Sequence, residues 1–379
     1  MTKVVVIGAG IIGASCAYHL ARAGAGVDVT VIDRGQVGSG TTSRGEGNIE
    51  LSDKCAGPEL ELMQLSRQLW LDTAGDLGAE ALELEPKGSL VVATSPGAFD
   101  QLQEFAARQR EAGVRSEVVS RPSALEPNLA PDLPGAVSYP NDMQVQPAKA
   151  AAALLAAARR RGARFVGGQP VVGASHDSSG AVTAVQTPTE TIPADVVVNA
   201  AGTWAGAVGA LLGSTVPVSP RRGYVLVTEP LPRVVGRKVY SADYVDNVAS
   251  SSAALETSCV VEGTESGTVL IGASRELVGF DETVQPHIIS ALAANAVRLF
   301  PGLRPVKMMR MYWGFRPFSP DHLPIIGPDA RVTGLYHACG HEGAGIGLSA
   351  ATGHVISRLI KGHALSIDIA PFSPARFGH

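Results

Sequence analysis

The N-terminal stretch, residues 3–34, constrains the fold of this chain more than any other part of its sequence. A β-branched run is followed at once by Gly8, Gly10 and Gly13 in G-x-G-x-x-G spacing, and then by small apolar residues at helical period. A second alternating strand ends at Asp33, about 20 residues beyond the last glycine. In such a unit the turn and the first helical residue, Ile11, offer N–H groups to a pyrophosphate, and the acid binds a ribose diol. The stretch therefore predicts a dinucleotide site for an adenosine ribose without a 2′-phosphate.

A lipoprotein-like leader is the other interpretation of this stretch, because Lys3 precedes an apolar run that reaches Cys16. Leaders of that kind carry neither phased glycines nor an acid at the end of a following strand. The dinucleotide interpretation is therefore preferred.

The composition excludes several classes of protein. With 379 residues, of which 45% are hydrophobic and 17% charged, the chain can form two domains of ordinary size. The net charge of −4 comes from mixed acidic and basic residues without a basic stripe, so no nucleic acid partner is expected, and no apolar stretch predicts a membrane span. Four cysteines without a C-x-x-C pair and nine histidines without ligand spacing predict no disulfide framework and no metal, and favour a cytoplasmic location.

Two further stretches are predicted to reach the dinucleotide. The loop at 38–48 is dense in glycine and small hydroxyl residues, so its backbone can follow a ligand closely, although an exposed loop is the other interpretation. A buried strand from 195 ends in Ala200, Ala201 and Gly202. Ligands of open parallel sheets lie at the carboxyl ends of the strands, so these residues should lie near the cofactor, although tight helix packing would also explain them.

The C-terminal part of the chain contains a single arginine in an apolar segment and a second glycine-rich turn. Arg316 lies among aromatic, glycine and proline residues, where desolvating its charge is costly unless an anion binds its planar fork. Asp321 is the other candidate for that anion. The turn at 340–347 leads into a helix whose N-terminus would stabilise the negative charge of a reduced flavin. The two glycine-rich turns together therefore suit the two ends of FAD.

These stretches give the chain a resemblance to the D-amino-acid-oxidase-like family of flavoenzymes. The resemblance covers nearly the whole length and is carried by VVVIGAGIIGASCAYHLARAG with Asp33, by VVNAAGTWA, PRRG and WGFRPFSPDHLPIIG, and by GHEGAGIGLSAATGHVI. It implies an α/β fold with an α+β insertion. A Rossmann-like FAD-binding domain would comprise 1–85, 145–215 and 311–379, and a mixed-sheet substrate domain would comprise 86–144 and 216–310.

The resemblance also implies roles for individual residues. Arg316 would bind the substrate carboxylate and Asn48 would face the substrate cavity. Residues expected to contact the cofactor are Gly8, Gly10, Ile11, Gly13, Asp33, Arg34, Thr41, Thr42, Ser43, Gly47, Val172, Ala200, Ala201, Gly202, Trp204, Gly314, Gly340, His341, Gly343, Ala344, Gly345 and Ile346. Relatives with covalent flavin use a cysteine in the stretch that here reads RMYW, so FAD is expected to be non-covalent. Tyr224 replaces the usual glutamine after Arg-Gly, and the usual proline near Gly263 is missing, so an unusual substrate pocket is expected.

The predicted activity is oxidation of the C–N bond of an amino or imino acid by hydride transfer from Cα to the flavin, giving an imine. Such chemistry needs a neutral amine and a carboxylate anchor, and it needs no protein base. Tyr240 and Tyr244 are predicted to reach the substrate from the second domain, although a surface loop with a packed tyrosine would explain this part of the sequence equally well.

Two other functions are considered. Oxidation of a 2-hydroxy acid, with His341 or His322 as base, is one alternative. A flavin subunit that is inactive without its partner is another. The expected electron acceptor is oxygen, a quinone or a partner protein, and a homo- or hetero-oligomer is possible.

Overall fold

A computed structural model of the chain describes residues 1–22, 24, 26–243 and 255–378. Tyr244, a predicted substrate contact, lies outside these residues. The α-helices of the described part, in chain order, are α1 (Ile11–Arg22), α2 (Pro58–Leu77), α3 (Ala79–Leu82), α4 (Pro96–Glu111), α5 (Pro147–Arg160), α6 (Ala205–Leu211), α7 (Pro286–Leu299) and α8 (Gly345–Ile360).

The strands of the described part alternate with these helices in the N-terminal region and follow one another more closely after α6. In chain order they are β1 (Thr2–Ile7), β2 (Val27–Asp33), β3 (Asn48–Ile49), β4 (Ser89–Ala93), β5 (Glu117–Val119), β6 (Gly135–Tyr139), β7 (Met143–Gln144), β8 (Arg164–Gly167), β9 (Gly173–His176), β10 (Val182–Gln186), β11 (Thr191–Pro193), β12 (Val196–Asn199), β13 (Ser219–Thr228), β14 (Lys238–Ser241), β15 (Glu256–Gly263), β16 (Val269–Arg275), β17 (Met308–Phe318), β18 (Ile325–Pro328) and β19 (Leu335–Cys339).

The dinucleotide-binding unit predicted from the N-terminus forms the centre of a six-stranded sheet in the order β18-β19-β12-β1-β2-β8. All neighbouring pairs in this sheet are parallel except β18 and β19. The carboxyl ends of β1, β12 and β19 therefore lie side by side, which is where ligands of such sheets bind. A small antiparallel sheet of β9, β10 and β11 accompanies it.

The second large sheet has eight strands in the order β17-β13-β16-β15-β14-β4-β6-β5. Its pairs are antiparallel except β14 with β4, so it is mixed, as the sequence predicts. β13 and β17 pair along their whole length and set Arg316 beside Arg221 and Gly223 beside Gly314. The expected division into domains assigns 311–379 to the FAD-binding part, whereas β17 hydrogen-bonds within the eight-stranded sheet.

Two helices, α4 and α5, begin after a residue whose side chain accepts a hydrogen bond from the first turn. Ser95 accepts a hydrogen bond from the Ala98 N–H group, and Pro96 follows it as the first residue of α4. Two of the helices that cover the six-stranded sheet, α1 and α8, approach so closely that a Cβ on Gly353 would lie 2.4 Å from Ser15 Oγ. This packing carries the N-terminus of α8 to the same edge of the sheet as the glycine turn.

One part of the sequence interpretation is wrong. The proline-rich region 122–147 is predicted to be an irregular connection, yet it contains β6 and β7. β6 pairs with both β4 and β5 and is buried along its length. Its five residues lie close to prolines on both sides, so their strand character comes from tertiary pairing and not from a long periodic pattern.

Candidate functional site

The glycine turn after β1 is shaped by contacts that exclude side chains. Gly8 has φ +110°, and a Cβ there would lie 2.4 Å from the carbonyl oxygen of Ala200. A Cβ on Gly13 would lie 1.8 Å from the carbonyl oxygen of Gly8. Gly13 thus allows helix and turn to touch, while Gly8 and Gly10 line a cavity and leave their backbone open to a ligand.

Asp33 lies at the end of β2 on the same cavity. Its Oδ2 accepts a hydrogen bond of 2.6 Å from the Ala9 N–H group, and its Oδ1 accepts one of 2.7 Å from the Gly35 N–H group. A carboxylate has about four acceptor positions, so the same group can also bind a ribose diol. The backbone around the turn is therefore ordered by the acid that would recognise the ribose.

The loop between β2 and β3 connects the two large sheets through hydroxyl groups. Thr42 Oγ1 accepts a hydrogen bond from the Ile11 N–H group at 3.0 Å, at the start of α1. Thr41 Oγ1 donates to the Phe315 carbonyl at 2.9 Å, and Thr203 Oγ1 donates to the same oxygen. The loop thus ties the glycine turn to β17, the strand that carries Arg316.

A stack of rings lies along one wall of the cavity. The Arg34 guanidinium carbon lies 3.8 Å from the centre of the Trp204 ring, and Trp204 stacks on Phe280 at 5.7 Å and 10°. Phe280 in turn meets Phe315 edge to face. Because Arg34 follows β2 and Trp204 follows β12 of the six-stranded sheet, whereas Phe280 follows β16 of the eight-stranded sheet, the stack joins the two halves at the cavity.

The cavity has a volume of about 1020 Å³ and passes from the glycine turn to Arg316. The predicted cofactor residues that line it are Gly8, Gly10, Ile11, Asp33, Arg34, Thr41, Thr42, Ala200, Ala201, Gly202, Trp204, Gly314, His341, Gly343, Gly345 and Ile346. Asn48 and Arg316 line it as well. Residues from several separate stretches of the chain are thus brought together, and their individual contacts with ligands stay predictions.

Other predicted site residues are not among those that line this cavity. Gly13, Gly47 and Gly340 pack against neighbouring residues, the Ser43 hydroxyl donates to nearby backbone carbonyls, and Ala344 lines a smaller cavity beside Asn48. Val172 is 49% exposed, and its N–H group donates to the Gln186 carbonyl, whereas the three residues before it do line the cavity. Tyr240 is fully buried, and its hydroxyl donates to Ser52 Oγ at 2.5 Å. The structure therefore does not bring Tyr240 to the cavity, because its strand turns this side chain into the core.

Arg316 is held against the neighbouring strands of the eight-stranded sheet. One Nη1 hydrogen bond of 2.8 Å goes to the Ser274 carbonyl on β16. A Cβ on Gly223 would lie only 2.1 Å from Nη1, so the guanidinium lies directly on the β13 backbone. Asp321 is not its partner: that carboxylate accepts two hydrogen bonds from Arg376. The internal ion pair considered from the sequence is therefore wrong, and the Arg316 guanidinium lines the cavity.

Tyr224, which differs from the family pattern, affects the cavity less than the sequence suggests. Strand alternation turns Gly223 and Val225 to the cavity and Tyr224 into the core, where its hydroxyl donates to the Thr283 carbonyl at 2.9 Å. The substitution therefore changes the core of the eight-stranded sheet and not the cavity wall itself.

The two histidines near the second glycine turn have different environments. His341 is buried, its Nε2 lies 2.9 Å from Thr352 Oγ1, and burial lowers its pKa to about 3. His322 pairs with Glu342 at 3.0 Å, a contact that raises the His322 pKa, and it is not among the residues lining the cavity. His341 is thus neutral at neutral pH.

Sequence reasoning missed several charged residues of the site. Glu46, Glu282 and Glu342 line the cavity, and Lys238 reaches Asn48 from β14. Glu46 lies between two glycines of the predicted loop and could have been found there. Lys238 belongs to no recognisable motif, so only the pairing of β14 with its neighbouring strands shows that it lies beside Asn48.

Among the described residues, no group of acids, histidines and cysteines is arranged to hold a metal ion. No helix in the described part is long and apolar enough to cross a membrane.

The fold and the cavity define a class of protein that binds a flavin dinucleotide between a parallel sheet and a mixed sheet. The residues fit FAD, because the cavity is large, Gly8 and Gly10 leave backbone open to it, and the Asp33 carboxylate lines the same cavity. The model of the FAD dependent oxidoreductase family matches residues 3–359. The chain belongs to this family, and its cofactor is FAD.

Individual relatives cover nearly the whole chain. The hydrogen cyanide synthase subunit HcnC of Pseudomonas aeruginosa is 29% identical over 99% of this chain and 96% of its own length. Glycine oxidase of Geobacillus kaustophilus is 30% identical over 98% of this chain and 96% of its own length, and its crystal structure superposes with a TM-score of 0.88 over 99% of both chains. The crystal structure of iminodiacetate oxidase from Chelativorans sp. BNC1 has a TM-score of 0.83 at 25% identity and covers 98% of both chains.

Proposed function

We propose that this chain oxidises the C–N bond of an amino or imino acid, giving an imine that can hydrolyse. The observation that carries the proposal is the Arg316 guanidinium, which lines the cavity beside the residues predicted to bind FAD and is not paired with Asp321. A planar guanidinium binds a carboxylate through two parallel hydrogen bonds, so it fixes the orientation of the substrate as well as its charge. Glycine oxidase and iminodiacetate oxidase, by their names, act on amino acids of this kind.

The residues of the chain bind and orient, while bound FAD would supply the acceptor for the hydride, which carries both electrons. Arg316 anchors the carboxylate and Asn48 faces the same space. The N-terminus of α8, with Gly345 and Ile346 on the cavity, contributes a positive dipole end to the flavin side. Holding the substrate in one orientation increases the rate, because the entropy cost of reaching the reactive geometry is met on binding.

Oxidation of a 2-hydroxy acid is less consistent with the site. A hydroxyl substrate needs a base to take its proton. His341 has a pKa of about 3 and a hydrogen bond to Thr352, so it is a poor proton acceptor at neutral pH. His322 pairs with Glu342 and is not among the residues lining the cavity. An amine substrate does not need such a base, because it can be present in its neutral form without one.

A flavin subunit that works only within a larger complex is the second candidate, because HcnC is named as a subunit. Purifying the chain alone and mixing it anaerobically with D-, L- and N-alkyl amino acids distinguishes the two. We expect at least one of them to bleach the flavin. Bleaching that needs a second protein would favour the subunit, and bleaching by 2-hydroxy acids instead of amino acids would contradict the proposal. Reoxidation by oxygen or by a quinone, tested in the same cuvette, identifies the acceptor.

FAD is proposed to be non-covalent and the location cytoplasmic. The segment 310–313 has no cysteine, and Cys339, which does line the cavity, has a pKa raised to about 12 by burial, so it stays an unreactive thiol. Acid should release intact FAD from the yellow protein, and flavin that stays in the precipitate would contradict this. The four free thiols suit the reducing cytoplasm.

A further inference from the structure

Four carboxylates of the described residues line the main cavity, and one of them differs from the rest. They are Asp33, Glu46, Glu282 and Glu342. Asp33 accepts two backbone hydrogen bonds, Glu342 pairs with an arginine and a histidine, and Glu282 is exposed to solvent. The Glu46 side chain, in contrast, is only 7% exposed, and its buried Oε1 has no hydrogen-bond partner among the described residues. Glu46 is thus a cavity carboxylate that is withdrawn from water without a directed protein partner.

The nearest cation to Glu46 in the described part of the chain is shared with two other carboxylates. Lys238 Nζ lies 3.9 Å from Glu46 Oε2. It lies closer to Glu50 Oε1, at 3.2 Å, and to Glu262 Oε2, at 3.5 Å, and it donates a hydrogen bond to Asn48 Oδ1. All three carboxylates are at most 7% exposed. Because buried charges are costly unless they are paired, a further cation at the cavity side of this cluster would be stabilised.

Glu46 and Arg316 contact the same strand, β16, two residues apart. A Cβ on Gly272 would lie 2.6 Å from Glu46 Oε1, so the glycine makes room for the carboxylate. Arg316 Nη1 donates to the Ser274 carbonyl at 2.8 Å. Two residues of a strand span about 7 Å. A ligand whose carboxylate binds Arg316 can therefore place a cation on Glu46 through a side chain of three or four methylene groups.

The α-amine of the substrate is not the cation that fits Glu46. A carboxylate beside an amine favours the charged ammonium form, whereas the oxidation needs the neutral amine. A substrate with a single amine would thus either leave Glu46 unpaired or be held in the form that does not react. A second cation on the side chain removes this conflict, because it pairs with Glu46 and leaves the α-amine free to lose its proton to solvent.

We propose that the substrate is an amino acid with a basic side chain, whose ammonium or guanidinium binds Glu46 while its carboxylate binds Arg316. This inference rests on the proposed function, because it names the substrate class of the same site. Glu46 contacts the far end of the substrate and determines specificity, and it takes no part in breaking or making bonds. A neutral side chain would leave the buried carboxylate without a partner, which is the physical basis of the discrimination.

The kinetic test compares basic amino acids with neutral ones of nearly the same shape. Lysine is compared with norleucine and arginine with citrulline, each as the D and the L enantiomer, by the second-order rate constant of anaerobic flavin reduction. The wild type should prefer the basic member of at least one pair by about tenfold or more, because a charge-assisted hydrogen bond in a buried site contributes that much. Glu46→Gln keeps the shape of the side chain and loses its charge, so it should bring the ratio close to one.

Two further variants serve as controls. Glu262→Gln removes an equally buried carboxylate from the neighbourhood of Lys238, but Glu262 is not among the residues lining the cavity, so the wild-type ratio should persist. Glu282→Gln removes an exposed carboxylate that does line the cavity. It should change the ratio by less than about fivefold, because water screens an exposed ion pair.

A binding measurement tests the subsite without turnover. 6-Aminohexanoate is lysine without its α-amine, and hexanoate lacks both amines, so neither has an α-amine to be oxidised. Calorimetry with the oxidised holoenzyme measures both affinities. The wild type should bind 6-aminohexanoate about tenfold or more tightly than hexanoate. Glu46→Gln should abolish the difference, and Glu262→Gln should retain it.

The outcomes separate this inference from the proposed function. If neutral amino acids reduce the wild-type flavin as fast as basic ones, or if Glu46→Gln and Glu262→Gln lose the preference equally, the role of Glu46 is overturned while the proposed function stands. If no amino acid reduces the wild-type flavin, the proposed function fails and the inference fails with it. Should Glu46→Gln not fold, the wild type and Glu282→Gln decide: 6-aminohexanoate bound no more tightly than hexanoate, or a preference that Glu282→Gln abolishes, would overturn the inference.

Discussion

The two ends of the cavity, the proposed dinucleotide end and the proposed substrate end, are built in different ways. The dinucleotide end uses backbone groups and residues close together in the sequence: Gly8, Gly10 and Asp33 lie within one βαβ unit. The substrate end uses charged side chains from separate strands, where Arg316 of β17 is held by Ser274 of β16 over Gly223 of β13. The first end is thus fixed by local geometry that any FAD-binding chain of this fold needs. The second depends on how the eight-stranded sheet pairs, which is where the specificity for a substrate can change.

The largest expected effect falls on the substrate end alone. Arg316→Ala should lower kcat/KM by the equivalent of about 2–5 kcal/mol, because a bound carboxylate loses its charged partner. Arg316→Lys keeps the charge but loses the fork and should be impaired less severely. FAD content, measured by absorbance, should stay normal in both variants. A substrate analogue without the carboxylate should react far more slowly with the wild type, and equal reaction of both ligands would contradict the role of Arg316.

The next effect belongs to the dinucleotide end. Asp33→Ala should weaken FAD binding, because each lost charge-assisted hydrogen bond contributes about 1.5–3 kcal/mol. The Ala9 and Gly35 N–H groups also lose their acceptor, so the glycine turn is affected as well. Titrating the apoprotein with FAD measures the change. Asp28 on the same strand has an exposed side chain, so Asp28→Ala is a suitable control, and an FAD dissociation constant unchanged in Asp33→Ala would remove Asp33 from the ribose site.

Two glycines that pair with each other across β13 and β17 can test whether the two ends of the cavity are independent. A Cβ on Gly223 would lie 2.1 Å from Arg316 Nη1, whereas a Cβ on Gly314 would lie 2.4 Å from Arg44 Cβ in the loop between β2 and β3. Gly223→Ala should therefore raise KM for the substrate, and Gly314→Ala should weaken FAD binding. Each change is expected to cost about 1–3 kcal/mol through overpacking. If both variants lose substrate and FAD affinity alike, the two ends are not independent.

The smallest effect is expected at Tyr240, which the sequence suggested as a substrate contact. Its hydroxyl donates to Ser52 in the core, away from the cavity. Tyr240→Phe should leave kinetic constants unchanged and lower the free energy of unfolding by about 1 kcal/mol, the contribution of one buried hydrogen bond. Denaturant unfolding measures the loss. A large fall in kcat with normal stability would return Tyr240 to the active site.

The dinucleotide end of the cavity could be predicted from the amino-acid sequence. The phased glycines, the acid at the end of β2 and the second glycine turn before α8 are local patterns, and local patterns fix local backbone. Gly8 illustrates this: the steric requirement for a glycine there comes from a turn that the neighbouring residues already predict. Three strands of the mixed sheet, at 223–228, 259–262 and 268–272, are also predicted by the sequence and correspond to β13, β15 and β16, whereas β14 and β17 are not predicted.

The assembly of the substrate end, in contrast, follows from tertiary contacts that no local pattern contains. From the motif alone, Asp321 is a possible partner of Arg316. In the structure Asp321 pairs with Arg376, far away in the sequence, and the pairing of β17 with β13 holds Arg316 elsewhere. Lys238 and Glu50 are separated by nearly half the chain, so no spacing rule could bring them together. Strand alternation turned Tyr224 and Tyr240 into the core and left Gly223 on the cavity. The physical reason is that pairing register, which depends on all strands of the sheet at once, decides which face each side chain takes.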